Sequence, residues 1–300
     1  MIRVRAPAKL NLYLRVLGKR PDGYHELETI FERIDLADEL TFEPADTITL
    51  TCTDSTLSCG EDNLILHAAR LLQRERGTLA GARIHLTKRI PIAAGLGGGS
   101  SDAAAALRGL NALWDLRLPQ ERLRELAATL GSDAAFFLYR SPLAIGRGRG
   151  ELCEPLEGQS VAHVLVVPDA RLSTREVYAS LNLPLTAPPS SITIVAHALR
   201  NGSYRELAAG LWNDLEEAAI RRCPVISRSE ELLRTCGAVA ARLSGSGPAV
   251  FGVCRDAAHA RTVAKLVRAR APTSWRIELI QTDTTEGHPQ APQTSHWGVV

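Results

Sequence analysis

No run of this sequence approaches the ~20 apolar residues that a membrane-spanning helix requires, and the opening residues Met1–Lys9 lack the uninterrupted apolar stretch of a secretory signal. Cytoplasmic residence, with no membrane partner, is the expectation. Charge of one sign is missing too. With 35 Lys and Arg against 33 Asp and Glu, the formal net charge of +2 gives no global pull toward nucleic acid, so any anion site must be local. The 6 cysteines include no Cys-x-x-Cys pair and no neighbouring His-x-x-x-His, which removes zinc ribbons and redox motifs and leaves reduced thiols as the default.

What remains is an ordinary globular composition, 45% hydrophobic and 23% charged. At 300 residues, the length points to two domains.

The most informative stretch runs from Pro91 through Ile92, Ala93, Ala94, Gly95, Leu96, Gly97, Gly98, Gly99 and Ser100 to Ser101, and then into Asp102 and four alanines. Glycines let backbone N–H groups face inward, and the N-terminus of the alanine-rich helix adds unpaired donors and positive dipole. That combination cradles polyphosphate. A Walker loop is excluded because no Gly-Lys-Ser/Thr follows, and a Rossmann fingerprint fails because Ser100 stands where its third glycine belongs. The plainer alternative is a glycine loop that only closes a turn.

Period-two alternation of Leu10, Leu12, Leu14 and Val16 with Asn11, Tyr13 and Arg15 predicts a half-buried strand with a polar face. Arg20-Pro21-Asp22-Gly23 predicts a turn into a second strand around 27–31. Further strands are expected at 39–42, 47–53, 83–88, 163–167, 239–243 and 249–254. Helices are expected at 64–76 with a Gly77 stop, 101–114, 119–130 with a Gly131 cap, 173–181, 191–200, 204–220 and 225–236. Residues 151–159, with a proline, a glycine and several polar side chains, read as the crossing between domains 1–155 and 156–282. The polar, weakly patterned residues 283–300 read as a disordered tail. Ser244-Gly245-Ser246-Gly247-Pro248 is a second glycine-serine loop, equally readable as a phosphate contact or a hairpin turn.

In chain order, Pro7-Ala8-Lys9-Leu10-Asn11-Leu12, Pro21-Asp22-Gly23-Tyr24-His25, Asn63-Leu64-Ile65, Lys88-x-Ile90-Pro91 through Asp102, Gly131-Ser132-Asp133 and Ser244-Gly245-Ser246-Gly247 resemble the GHMP small-molecule kinases over roughly residues 2–282. The resemblance implies an α+β, two-domain fold. Its N-terminal α/β domain would contain a left-handed βαβ crossover, and its C-terminal domain would set helices on an antiparallel sheet. It implies transfer of the ATP γ-phosphoryl to a tertiary alcohol in isoprenoid precursor synthesis, with Mg2+ and with 4-diphosphocytidyl-2-C-methyl-D-erythritol as acceptor. A monomer or weak homodimer is expected.

By the same resemblance, Asp133 is the catalytic carboxylate and Lys9 its cationic partner. Asn11, Tyr24, His25, Thr174 and Tyr178 are expected at the acceptor, and Asn63 and Lys88 near the nucleotide together with the 91–101 backbone. No metal ligand is assigned, although Ser101 stands near enough to touch Mg2+. Read without the family, Asp133 is a helix-cap or surface aspartate after Gly131, Lys9 a solvated lysine, and Tyr178 as readily a core residue as a base-stacking one. One departure stands out: Ala134-Ala135 replace the family's usual Val-Pro after the aspartate, which leaves that backbone less restrained. The competing functions are a homoserine or mevalonate type kinase, a silent ligand sensor on the same fold, and an RNA-binding module.

Overall fold

The computed structural model describes residues 1–181 and 190–285. Two long strands, β1 (Ile2–Lys19) and β2 (His25–Ala45), pair antiparallel as its spine. At the turn between them Gly23 takes φ 86° and the Asp22 carboxylate accepts from the Tyr24 N–H, so the Pro-Asp-Gly signature does what its chemistry predicts. Strand β3 (Ile48–Cys52), helix α1 (Leu64–Arg76) and strand β4 (Gly81–Thr87) follow as a β–α–β unit with β3 and β4 parallel. Helix α1 stops at the left-handed Gly77, as read from the sequence.

Helices α2 (Gly98–Leu113) and α3 (Gln120–Leu130) lead to strands β5 (Leu143–Gly148) and β6 (Leu152–Leu156). The chain then builds β7 (Ala162–Val167), α4 (Thr174–Ala179), α5 (Ile192–Asn201), α6 (Tyr204–Gly210), β8 (Trp212–Asn213) and α7 (Glu216–Arg222). It ends with α8 (Val225–Thr235), β9 (Ala240–Leu243), β10 (Val250–Cys254), α9 (Ala257–Arg270) and β11 (Arg276–Gln281). One sheet runs β3-β4-β2-β1-β8 with β5 on β2 and β6 on β5; the other is the antiparallel β11-β7-β10-β9. The α+β class expected from the sequence is the one observed.

Alanines make α2 thin enough to lie directly on the first sheet. Ala103, Ala104, Ala105 and Ala106 are fully buried, and a Cβ at Gly109 would stand 2.3 Å from the Phe42 ring. The alternation read in β1 needs correcting: Asn11 and Tyr13 are 2% and 1% exposed, so its polar face looks into the protein. Bulges between Pro7 and Ala8 and between Asn11 and Tyr13 re-aim that face toward the interior.

Three further expectations change. The single helix at 204–220 is broken, because Trp212 and Asn213 leave it to pair in parallel with Tyr13 and Leu14, giving the edge of β1 a partner. Gly131 is the C-cap of α3, its N–H donating to the Ala127 carbonyl at 3.3 Å, but at φ −177° it is extended and not left-handed. Within 151–159, Leu152–Leu156 form the edge strand β6, paired along β5 in the first sheet, and β7 opens the second sheet at Ala162. The tail does not begin at 283: Asp283 is buried, donates its N–H to the Arg33 carbonyl and pairs with Arg5 at 3.4 Å. The rest of the expected tail, 286–300, lies outside the described residues. Among the described residues no helix is long and apolar enough to cross a membrane.

Candidate active site

A cleft of about 1170 Å³ opens where β1, the glycine loop, the 131–133 turn and helix α4 converge. The loop supplies one wall. Ala93, Gly95 and Gly97 sit at φ 55°, 79° and 70°, a run of left-handed residues that turns the chain sharply before α2 starts at its Gly97 cap. Held at Ala93, which carries a side chain, that geometry costs about 1 kcal/mol or more, a cost typical of functional loops. A Cβ at Gly95 would lie 2.2 Å from the Ser244 carbonyl oxygen, so only glycine fits there.

The second glycine-serine loop packs on the first. Ser244 Oγ donates to the Gly95 carbonyl at 3.1 Å, and the Ala249 N–H donates to the Ala94 carbonyl at 3.2 Å. It is both the β9–β10 hairpin turn and a wall of the cleft, through Gly245 and Ser246. Helix α4 joins it through a 2.8 Å hydrogen bond between Thr174 Oγ1 and Ser246 Oγ.

On the floor, Lys9 Nζ donates to Asn11 Oδ1 and lies 3.4 Å from Asp133 Oδ2. The Lys9 N–H donates to the Leu96 carbonyl at 2.9 Å, so β1 and the glycine loop are tied at the residue that carries the ammonium. Asn11 Nδ2 donates to Thr29 Oγ1 at 2.8 Å, and Thr29 donates on to the Tyr13 carbonyl at 2.6 Å. That chain fixes the amide with its oxygen toward Lys9. Asp133 keeps 26% of its side chain open to the cleft.

Ala134 and Ala135 are 0% and 2% exposed, and the turn after them stacks Phe136 on Phe31 at 5.0 Å. Core burial therefore restrains the backbone that the absent proline would have held. Behind Asp133 the Cys153 thiol is pushed up to about 12, first by burial and then by the Asp133 charge, so it is no nucleophile at neutral pH.

The far wall is aromatic. His25 and Tyr178 face each other at 4.9 Å between ring centroids. Burial, aided by Lys19, holds His25 below its ordinary value, which leaves a neutral imidazole with one donor and one acceptor. Tyr178 also packs on the C-terminal core, and burial pushes its hydroxyl up, so both readings of this residue meet in one side chain. Tyr24 stands at the rim, 53% exposed, with the Arg149 guanidinium 4.8 Å over its ring.

Every residue named from the sequence lines the cleft except Ser101, which is 1% exposed beneath the loop. Two of them are already engaged elsewhere. Asn63 caps α1, accepting from the Ile65 N–H at 2.9 Å and donating to the Ser58 carbonyl at 2.6 Å. Lys88 is buried between Asp38, 2.7 Å away, and Asp102, 2.6 Å away. Sequence reasoning gave no role to Asp38, Asp102, Thr29 or Arg149. Asp102 closes the glycine-serine motif and could have been found there; the others belong to no motif.

Two GHMP kinase family models match the chain, the N-terminal domain over residues 63–141 and the C-terminal over 195–272. It is 43% identical over 271 residues to 4-diphosphocytidyl-2-C-methyl-D-erythritol kinase of Pelotomaculum thermopropionicum, covering 89% of this chain and 94% of that one. With the protein of the same name from Gloeobacter violaceus it shares 40% identity over 268 residues, 87% and 88% of the two chains. A crystal structure of 4-(cytidine 5'-diphospho)-2C-methyl-D-erythritol kinase superimposes with a TM-score of 0.78 at 37% identity, covering 93% and 98%. Homoserine kinase from Cytophaga hutchinsonii gives 0.75 at 17% identity over 96% of each chain, a likeness of fold alone. The chain belongs to the GHMP kinase family, among relatives that are 4-diphosphocytidyl-2-C-methyl-D-erythritol kinases.

Proposed function

We propose that this protein transfers the γ-phosphoryl group of ATP to the C2 hydroxyl of 4-diphosphocytidyl-2-C-methyl-D-erythritol, giving the 2-phosphate and ADP. The observation that carries the reading is the Lys9–Asp133 pair, set between a glycine loop that fits polyphosphate and an aromatic wall that fits a pyrimidine. A kinase for a smaller acceptor has no use for that wall.

Phosphoryl transfer asks a protein chiefly for in-line positioning and charge stabilisation. The loop N–H groups from Gly95 to Ser100 and the α2 dipole hold the phosphates. Asp133 orients the tertiary hydroxyl and accepts its proton late, once bonding of its oxygen to the arriving phosphoryl group has made that proton acidic, so strong basicity is not required. Lys9 compensates the charge that develops between acceptor and γ-phosphate, and the Asn11–Thr29 chain keeps it aimed. His25 offers one donor and one acceptor to the cytosine edge while Tyr178 stacks on its face, with Tyr24 and its Arg149 partner closing the rim.

Magnesium, when bound, would supply positive charge that offsets the phosphates. Ser100, which lines the cleft at the start of α2, would be an oxygen donor for it.

The test is ADP release from Mg-ATP with the cytidyl substrate, run beside homoserine, mevalonate and a no-acceptor control. Turnover confined to the cytidyl substrate supports the reading. Turnover with homoserine or mevalonate instead would reject the pocket assignment, and silence with all would leave a ligand sensor.

A further inference from the structure

The glycine loop lies between two buried lysines, only one of which faces the acceptor. Lys9 runs along the cleft side, where its Cγ would be 2.9 Å from a Cβ on Gly97. Lys88, which lines the same cleft, packs against the next residue of the loop, its Nζ 3.1 Å from where a Cβ on Gly98 would stand. The Lys88 ammonium donates to both the Asp38 and the Asp102 carboxylates, and all three side chains are at most 5% exposed.

Asp38 does more than pair with Lys88. Its Oδ1 accepts from the Ile90 N–H at 2.8 Å and from the Arg89 N–H, so one strand β2 carboxylate holds the backbone leading into the loop. Asp102 stands in the first turns of α2, with Oδ2 on Lys88 and Oδ1 buried without a partner. The three side chains thus connect the middle of the sheet, the entry to the loop and the start of the helix at its exit.

The charge of the cluster is wrong for attracting a nucleotide. The cluster brings no net positive charge to the polyphosphate site: the Asp38 carboxylate answers the Lys88 ammonium, and burial, with Asp38 beside it, raises Asp102 to about 7, so it is partly protonated at neutral pH. A device for binding phosphate by charge would omit the two acids. Buried ion pairs contribute little to stability compared with apolar packing, yet they fix geometry, because each partner tolerates only a narrow placement of the other.

We propose that Asp38, Lys88 and Asp102 are positioning residues that hold the phosphate loop in its binding shape before the nucleotide arrives, and that Lys88 itself does not bind phosphate. The proposal rests on the reading of this loop as the ATP site. It predicts that removing the Asp102 carboxyl group should weaken nucleotide binding, although taking an acid away from beside a polyanion would ordinarily leave binding unchanged or strengthen it.

The experiment is calorimetric titration of ADP into the wild-type protein, Asp102→Ala and Asp102→Asn, with circular dichroism to establish folding and steady-state KM for the acceptor. Asp102→Ala should raise the ADP Kd by about tenfold while the acceptor KM stays within about twofold, since misplacing loop donors by a fraction of an ångström is felt only by the group they hold. Asp102→Asn is isosteric, so it keeps an oxygen for Lys88 and retains the fold; it should bind ADP with affinity between the other two. Unchanged or tighter ADP binding in a folded Asp102→Ala overturns the proposal, as does any tightening in Asp102→Asn if the alanine variant fails to fold. Wild-type protein that binds no ADP overturns instead the assignment of the ATP site, and the clamp with it.

Discussion

Replacing Asp133 by Asn removes a charge while keeping size and one oxygen, so its effects on stability and on chemistry can be separated. The carboxylate lies 3.4 Å from the Lys9 ammonium. At an effective dielectric constant of 20 that is a gross attraction of about 5 kcal/mol. A quarter of the Asp133 side chain is open to solvent, and Asn11 remains on Lys9, so screening leaves about 1 kcal/mol of net stability at stake. The melting temperature should fall by about 2–4 °C, with nearly all molecules still folded at 25 °C. Loss of a positioned proton acceptor costs about two orders of magnitude or more in kcat, roughly 3 kcal/mol of barrier. Measured together, ADP release should collapse while ADP affinity and circular dichroism stay near wild type. A variant that keeps kcat within about threefold of wild type would refute the role given to Asp133.

Tyr178→Ala should raise the KM for the cytidyl substrate by about tenfold and leave the KM for ATP unchanged, as the loss of one stacking face worth ~1–3 kcal/mol requires; equal effects on both substrates would contradict the wall assignment. Gly95→Ala would place a Cβ 2.2 Å from the Ser244 carbonyl oxygen, so it should abolish ADP binding in any protein that still folds, read by calorimetry. Glu230, raised to about 7 by burial and then by Glu216, binds its proton more tightly folded than unfolded. Its stabilising contribution is complete below the unfolded value of 4.5 and is lost as pH rises through about 7. Glu230→Gln should therefore melt higher than wild type at pH 8, by about 2 °C or more, and no higher at pH 4.5; the same difference at both pH values would show that the carboxylate does not titrate as stated.

Much of this site was legible before any coordinates because its parts are local. The glycine loop, the Pro-Asp-Gly turn and the Gly77 helix stop each depend on residues within a few positions of one another. What stayed hidden depends on long-range pairing. Asp38 looks like one more acid on a strand until the fold brings Lys88 and the backbone of residues 89 and 90 to it. The break at Trp212 was invisible because the local pattern favours helix, and only the unpaired edge of β1 outweighs it. The β1 face misread as solvent-facing shows the same limit, since periodicity separates two faces without saying what covers them.

The seam between the two glycine-serine loops also has a consequence for how the molecule is made. Ala94 and Gly95 are held by Ala249 and Ser244, so the loop's final shape depends on a hairpin about 150 residues downstream. At synthesis rates of ~5–20 residues per second, roughly 8–30 s pass between those segments leaving the peptidyl-transferase centre. Edge strand β8, at residues 212–213, and the Asp283 N–H likewise reach the first sheet and the β2 backbone only after residue 200 has been made. The hydrogen bonds that hold Ala94 and Gly95 therefore form only after the C-terminal half of the chain has been made.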